Sequence, residues 1–445
     1  EPVCARFDLS SAVGVFADLY REVQPQSDLR AAINASYRRS EPECLPLLIS
    51  MARTPDPVGV KQLALHLVDK IMAKHKTSPV EALVHSFSLS TQEGIALMCL
   101  AEALLRIPDQ ATRDALIRDK VAKGNWRSQV ADSPSIFVNA ATWGLLLTGK
   151  LVTLNSEHTL STALTRLIGK GGEPLIRHGV DLVMRMLGEQ FVSGESIAQA
   201  LDRAVRFEKQ GFRYSFDMLG EAAMTAADAR FYFEQYENAI HAIGKASQRR
   251  GIYDGNGISI KLSALHPRYQ RANRERVMTE LYPDLLTLVN LAQTYDIGIN
   301  IDAEESHRLD ISLDILERLC FEPSLSGWNG VGFVVQAYQR RAPAVIDFLI
   351  SLARRSERRM MIRLVKGAYW DSEIKRAQID GQEDYPVFTR KIYSDVSYLA
   401  CARRLLSVPD AVFAQFATHN AQTVASILAL AGTNYYRGQY EFQCL

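Results

Sequence analysis

The spacing of apolar positions divides the chain into two halves of different character. Leu63, Leu67 and Ile71 repeat every four residues, the interval at which side chains return to one face of a helix. Ser90-Thr91-Gln92-Glu93 has the form of a capping box, in which hydroxyl and carboxylate satisfy each other's backbone donors. It predicts a helix over the run Ile95 to Ile107, which stops before Pro108. Further amphipathic stretches cover roughly 111–122, 139–168 and 178–190, and another runs from Ser196 to Gln210 and closes on Gly211. β-Branched alternation is nearly absent up to about residue 205, so this half is predicted to be all-α. The break around 50–60, with Arg53-Thr54-Pro55-Asp56-Pro57, reads as a linker that divides a helical arm over 1–60 from an all-α domain over 61–205.

After residue 211 the pattern changes. Short β-rich runs appear at 214–219, 258–265, 298–304, 331–338, 361–368, 413–419 and 440–444, separated by helical stretches such as 273–295, 312–320, 344–355 and 422–431. Strands joined by crossovers long enough for helices demand a parallel sheet, and hence an α/β unit over 206–445. Seven such units approach the (β/α)8 TIM-like barrel of roughly 250 residues, with an open doubly wound sheet as the competitor. The eighth strand and helix are expected beyond Leu445: the chain opens on Glu1-Pro2 and stops within an apolar run, as a piece of a longer protein would.

The strands are polar on one face. Ser259, Lys261 and Ser263 alternate with Ile258, Ile260 and Leu262, and Asn300, Asp302 and Glu304 alternate with Ile299, Ile301 and Ala303. Gln336 shares a face with Val334 and Tyr338, Arg363 lies between Ile362 and Leu364, and His419 shares a face with Gln415. Strands of a parallel barrel are normally apolar on both faces. Each polar group falls late in its strand or just after it, and in a barrel those ends converge on one mouth. A charge there costs several kcal/mol, roughly, unless it is paired or meets a ligand. Taken singly, a strand lysine is more often a structural ion-pair partner, and a lone histidine a satisfied core side chain. The convergence of six such groups points to a functional site.

Composition excludes more than it identifies. With 445 residues, 47% apolar and 23% charged, 26 Gly and 16 Pro, the chain is globular and long enough for two or three compact units. Fifty-one Lys plus Arg against 50 Asp plus Glu leave +1, so no overall field draws it to nucleic acid or an acidic membrane. Six scattered cysteines without metal-ligand spacing read as reduced thiols of a cytoplasmic protein, and no secretory leader or membrane span is predicted. Gly169-Lys170-Gly171-Gly172 lacks the spacing of a phosphate loop and reads as a turn, and no GxGxxG occurs. Lys261 and Arg363 suit an anionic ligand, and Asp302 and Glu304 are placed to hold those cations. No Ser-His-Asp order or metal cage is apparent, so a bound group must supply the reactivity. Tyr369-Trp370 offers flat surfaces to stack on a ring system. A Schiff-base lyase using Lys261 is the alternative enzyme reading.

The strings RYSFDMLGEAAMTAADA at 213–229, GISIKLSALHPRY at 257–269, INIDAEE at 299–305, RLVKGAYWDSEIKRA at 363–377 and FATHN at 416–420 resemble the proline dehydrogenase domain of the proline utilization A flavoenzymes. NWRSQVADSPSIFVNAATWGLLLTGKLV at 125–152 and MLGEQFVSGESI at 186–197 resemble the helical units that precede it, so the likeness spans nearly the whole chain. The resemblance implies a barrel that binds FAD and oxidises L-proline to Δ1-pyrroline-5-carboxylate, hydride passing from proline C5 to flavin N5 and electrons on to a membrane quinone.

By position it implies Lys261, Asp302 and Arg363 as the catalytic set. Lys261, Asp217, Leu364 and Tyr369 would meet the substrate, with Glu221 as a gate. Asp302, Gln336, Arg363, Val365, Lys366, Gly367, Trp370, Thr418 and His419 would hold the cofactor. Relatives carry two adjacent arginines on the last barrel helix, beyond this chain. Arg340-Arg341, Arg354-Arg355 and Arg358-Arg359 are no substitute, because one pair follows a strand and the others lie near a helix C-terminus. The resemblance further implies a covalently linked aldehyde dehydrogenase module, DNA contact through a segment outside this chain, and peripheral contact with the inner membrane.

Overall fold

The computed structural model describes residues 26–74, 112, 192–218, 220 and 222–444. The capping box at 90–93 with its helix over 95–107, the amphipathic stretches within 111–190 apart from Thr112, the glycine turn at 169–172 and Glu221 lie outside the described residues. By its internal contacts the chain forms two units, one of residues 1–69 with 212–444 and one of residues 70–211.

The first unit opens with helices α1 (Asp28–Ala35), α2 (Glu41–Ala52) and α3 (Pro57–Lys74), the last ending just past the unit boundary. Helices break at 53–56, where Pro55 and Pro57 stop one helix and start the next, but this break lies inside the first unit rather than dividing an arm over 1–60 from a domain over 61–205. In the second unit α4 (Ile197–Glu208) is capped by Ser196, whose hydroxyl accepts from the Gln199 amide as the serine predicted.

Among the described residues the sheet has seven strands: β1 (Ser215–Asp217), β2 (Gly257–Ile260), β3 (Ile299–Ile301), β4 (Val331–Gln336), β5 (Met360–Val365), β6 (Val412–Ala417) and β7 (Tyr440–Gln443). They lie side by side in chain order and every pair is parallel, as the alternation of strands and helices requires. The crossovers carry α5 (Ala226–Ser247), α6 (Tyr282–Tyr295), α7 (Leu309–Cys320), α8 (Ala342–Arg355), α9 (Trp370–Ile379), α10 (Lys391–Leu406) and α11 (Ala421–Ala431). A Thr225–Asp228 capping box starts α5, and Asn420 caps α11. The sheet curls: Arg363 on β5 reaches Ser215 on β1, and Asn300 on β3 reaches Gln415 on β6. This is a partial (β/α)8 barrel, and among the described residues no eighth strand joins β7 to β1.

One row of each strand is apolar and packs on the helices: Ile258 and Ile260, Ile299 and Ile301, Phe333 and Val335, Ile362 and Leu364, and Phe416, all buried. The other row faces the interior of the curl. All seven strands are shorter than the pattern suggested, and β2 shows why. β2 ends at Ile260, and Leu262–Leu265 forms a helical turn in which Glu304 accepts from the Ser263 amide and the Ser263 hydroxyl accepts from Ala222. Side chains there capture backbone groups that a continued strand would have paired.

Helix α1 packs on α8 and α2 on α10, so the arm belongs to the outside of the sheet unit. Its anchors are the arginines after β4. Arg341 lies with its guanidinium 4.4 Å from the Tyr37 ring centre, donates to Gln339, Asp310 and the Ser306 carbonyl, and is almost fully buried. Arg340 donates to the Arg39 carbonyl and to Asp384. Arg358 and Arg359 close the opposite end by donating to the carbonyls of Cys320, Leu325, Trp328, Pro409 and Gly438. Each pair is consumed by structure.

Candidate active site

Three ionic side chains from separate strands meet at the C-terminal rim of the sheet. Lys261 follows β2, Asp302 follows β3, and Arg363 is the fourth residue of β5. The Lys261 ammonium donates to Asp302 at 3.3 Å and to both oxygens of Asp217 at 3.1 Å. Arg363 donates through Nη1 to the other Asp302 oxygen at 3.0 Å and to Ser259 at 2.9 Å, through Nη2 to Ser215 at 2.8 Å, and through Nε to Gln443 at 2.7 Å. Asp302 therefore bridges the two cations.

All three bridging groups are largely buried, whereas the Asp217 carboxyl is 47% exposed. Burial alone would lower the pKa of Lys261, but the carboxylates of Asp302 and Asp217 reverse that effect and hold the ammonium above the usual lysine range. Burial and the neighbouring Asp217 push the Asp302 carboxyl up, against the pull of Arg363 and Lys261. The Lys261 amide donates to the buried Tyr236 hydroxyl, which fixes the backbone where the strand ends.

Glu304 does not join this set as the alternation suggested. It lies beyond β3, accepts from the Ser263 amide and pairs with Arg308. Asp217 takes the place expected of it, because β1 pairs with β2 in a register that sets Asp217 beside Ser259. Leu364 is likewise displaced. It is fully buried on the face of β5 opposite Arg363, in the row of Val335 and Phe416, as strict alternation demands.

The residues expected to hold a cofactor share the same rim. Gln336 ends β4 and is held by the Gln339 side chain at 2.8 Å, and Val365 ends β5 on the row of Arg363. The Lys366 ammonium meets Asp395, and its carbonyl accepts from the Tyr338 amide. Gly367 has φ +135°, and a Cβ there would lie 2.4 Å from the Tyr338 ring, so only glycine fits. Tyr369 is half-buried ahead of α9. The Trp370 indole donates to the Phe388 carbonyl while its ring is 41% exposed. Thr418 and the exposed His419 follow β6.

The network extends further than the sequence reading went. Gln415 receives a bond from Asn300 and donates to Glu441, and Gln443 donates to the same Glu441 oxygen. Ser215, Glu441 and Gln443 had the same period-two signal on β1 and β7 as the residues singled out. Tyr236 had none, since it comes from the helix covering the sheet. Taken together the rim presents fixed N–H donors, a glycine cradle and an exposed indole, a donor set suited to a ring system with polar edges and an anionic group.

Comparison with known proteins identifies the family. Residues 200–445 match the family model described as proline dehydrogenase, and residues 27–71 match the proline utilization A proline dehydrogenase N-terminal domain. A third model, the DNA-binding domain of proline dehydrogenase, matches residues 79–191. It lies inside the chain, which corrects the expectation that such a segment lies outside it.

The bifunctional protein PutA of Escherichia coli is 66% identical over 97% of this chain and 33% of its own length. That of Rhizobium meliloti is 58% identical over 98% and 35%. The chain thus spans about a third of these relatives. Proline dehydrogenase 1 of Bacillus subtilis is 25% identical over 59% of the chain and 74% of its own length. A crystal structure of Bradyrhizobium japonicum proline utilization A superposes with a TM-score of 0.68 and 43% identity, covering 92% of this chain and 41% of that one.

Proposed function

We propose that this chain, which belongs to the proline dehydrogenase family, oxidises L-proline to Δ1-pyrroline-5-carboxylate with FAD held at the C-terminal rim of the sheet. When bound, FAD would take hydride from proline C5 at its N5 and pass the electrons to a membrane quinone. The observation that carries this reading is the convergence of Lys261, Asp302 and Arg363 at that rim.

The residues present fit both ligands. Gly367 leaves the backbone open beside Tyr338, Trp370 offers a flat surface, and Gln336, Lys366, Thr418 and His419 line the ends of three adjacent strands. Arg363, fixed on four sides, would place a permanent positive charge beside the flavin and favour negative charge on it. Lys261 would bind the proline carboxylate, with Asp217 as the partner that yields, because it is the exposed one of the two carboxyls on the ammonium. Tyr369 and Asp217 would border the proline ring. Leu364 could take part only through its backbone, since its side chain lies on the helix face.

A lyase needs Lys261 as a neutral amine. Two carboxylates keep the proton on it. Among the described residues no helix is long and apolar enough to cross a membrane. The remaining length of the bifunctional relatives leaves room for an aldehyde dehydrogenase module, and DNA contact rests on the match over 79–191.

Purified protein should be yellow and should bleach on anaerobic addition of L-proline. A folded, colourless protein that cannot be reconstituted with FAD would overturn the reading. So would a borohydride-stable adduct on Lys261.

A further inference from the structure

Arg363 is held by groups from four different strands. Ser215 and Ser259 bind it from β1 and β2, Asp302 from the end of β3, and Gln443 from β7. These four bonds use four of the five guanidinium N–H groups. The bond to Nε differs from the rest, because Nε is the hinge about which the guanidinium plane would turn. An N–H there can only donate, so Gln443 must present its oxygen, and its amide nitrogen then needs an acceptor on the far side.

Glu441 is that acceptor, 2.7 Å from Gln443 Nε2. Its other donor is Gln415 Nε2 at 2.9 Å, and Gln415 is itself oriented by Asn300 at 3.3 Å. Two glutamine amides thus converge on one carboxylate oxygen, and each is left with one sense. The row is continuous: Arg363 is the strand neighbour of Gln415, and Gln415 of Glu441.

We propose that Gln443 and Glu441 are positioning residues for Arg363, Gln443 by accepting from its Nε and Glu441 by fixing the sense of the Gln443 amide. This rests on the reading of Arg363 as the cation beside FAD. The consequence is a guanidinium plane set before any ligand arrives, so that its charge acts on the bound ring without reorganisation. Side chains that merely filled the interior would do their work equally well as apolar groups of the same size.

The test compares wild type with Gln443→Leu, Gln443→Glu and the exchange Glu441→Gln/Gln443→Glu. Leucine removes the acceptor. Glutamate alone keeps an acceptor but sets two carboxylates against each other. The exchange restores one donor and one acceptor between the positions at unchanged net charge.

Two measurements are made on each protein. The first is hydrogen exchange of the Arg363 Nε–H, followed by NMR of protein labelled in arginine and assigned by its loss in Arg363→Lys. The second is the midpoint potential of bound FAD. Gln443→Leu should speed the Nε–H exchange at least tenfold and lower the potential by about 30 mV, a tenfold change in the two-electron equilibrium. The exchange variant should recover both, and Gln443→Glu should recover neither.

An Nε–H as protected in Gln443→Leu as in wild type overturns the proposal, and so does an exchange variant no better than Gln443→Glu. Should wild-type protein fail to bind FAD, the functional reading falls. The exchange rates still decide whether Gln443 and Glu441 hold Arg363.

Discussion

Replacing Lys261 with methionine keeps the bulk of the side chain and removes its charge, which isolates what the ammonium contributes to the rim. A unit charge pair 3.3 Å apart, the Lys261–Asp302 separation, interacts by about 5 kcal/mol at an effective dielectric of 20. Desolvation of both ions offsets much of that, and removing one partner of a buried pair costs about 3–5 kcal/mol. The Asp217 side adds little, because an exposed partner is worth about 0–1 kcal/mol.

Asp302 keeps Arg363 in the variant, so the expected loss lies near the lower bound, about 3 kcal/mol. The loss depends on pH. The Asp302 carboxyl is already pushed up by burial and by Asp217, and it loses one of the two cations opposing that push. A carboxyl whose folded pKa lies above its unfolded value makes stability fall as pH rises through the interval between the two. The Lys261→Met change widens that interval.

The difference between variant and wild type should therefore be smallest at the acid end, where Asp302 is protonated in both proteins, and should grow as pH rises above the unfolded carboxylate value. Hydrogen exchange of amides in β2 and β3, corrected for intrinsic rates, reads the loss within the sheet itself. A difference below about 1 kcal/mol at neutral pH, or one that does not grow as pH rises above the carboxylate range, would refute this pairing.

Three further outcomes follow from the same geometry. Tyr37→Leu removes the ring over Arg341 and a hydroxyl contact to Ser306. It should free α1 to protease with a local loss of about 2 kcal/mol, and cleavage of residues 27–41 at the wild-type rate would contradict that. Gly367→Ala forces a side chain into a left-handed backbone and against the Tyr338 ring. A cost of about 1–3 kcal/mol from strain alone should lower the melting temperature by several degrees, and an unchanged melt would show the loop to be pliable.

His307 should titrate at about 4, because burial and the nearby Arg376 and Arg308 disfavour its cation. The folded state then holds fewer protons than the unfolded one between about pH 4 and 6.5, so His307 makes stability fall as pH drops through that window. An imidazole NMR midpoint at 6.5 would exclude the described environment.

The arginine pairs show how one sequence feature acquires opposite uses. Arg340-Arg341 follows β4 at the rim, close in sequence to Gln336, yet both side chains turn to the arm, where Tyr37, the Arg39 carbonyl and Glu41 meet them. Ser306, which accepts from Arg341, is also bound through its amide and hydroxyl to the buried Glu373 of α9. The arm thus braces the loop after β3 and the helix after β5, on either side of the candidate site.

Parallel pairing and the polar row on each strand were legible in the sequence, because they are local: period-two alternation and crossover length are properties of short stretches. The same alternation located Lys261, Asp302 and Arg363. What it left undecided is who meets whom. Arg363 and Ser215 are 148 residues apart, and their contact exists because the sheet curls far enough to bring β5 across to β1. Asp217 holds Lys261 in the role expected of Glu304 because Ser263 and Arg308 claim Glu304 first. The burial of Leu364 behind Arg363 and the docking of α1 and α2 on α8 and α10 were settled in the same way. A residue's own stretch of chain sets the face it occupies, and the groups it meets across that face come from strands whose placement is fixed only when the whole sheet closes around its core.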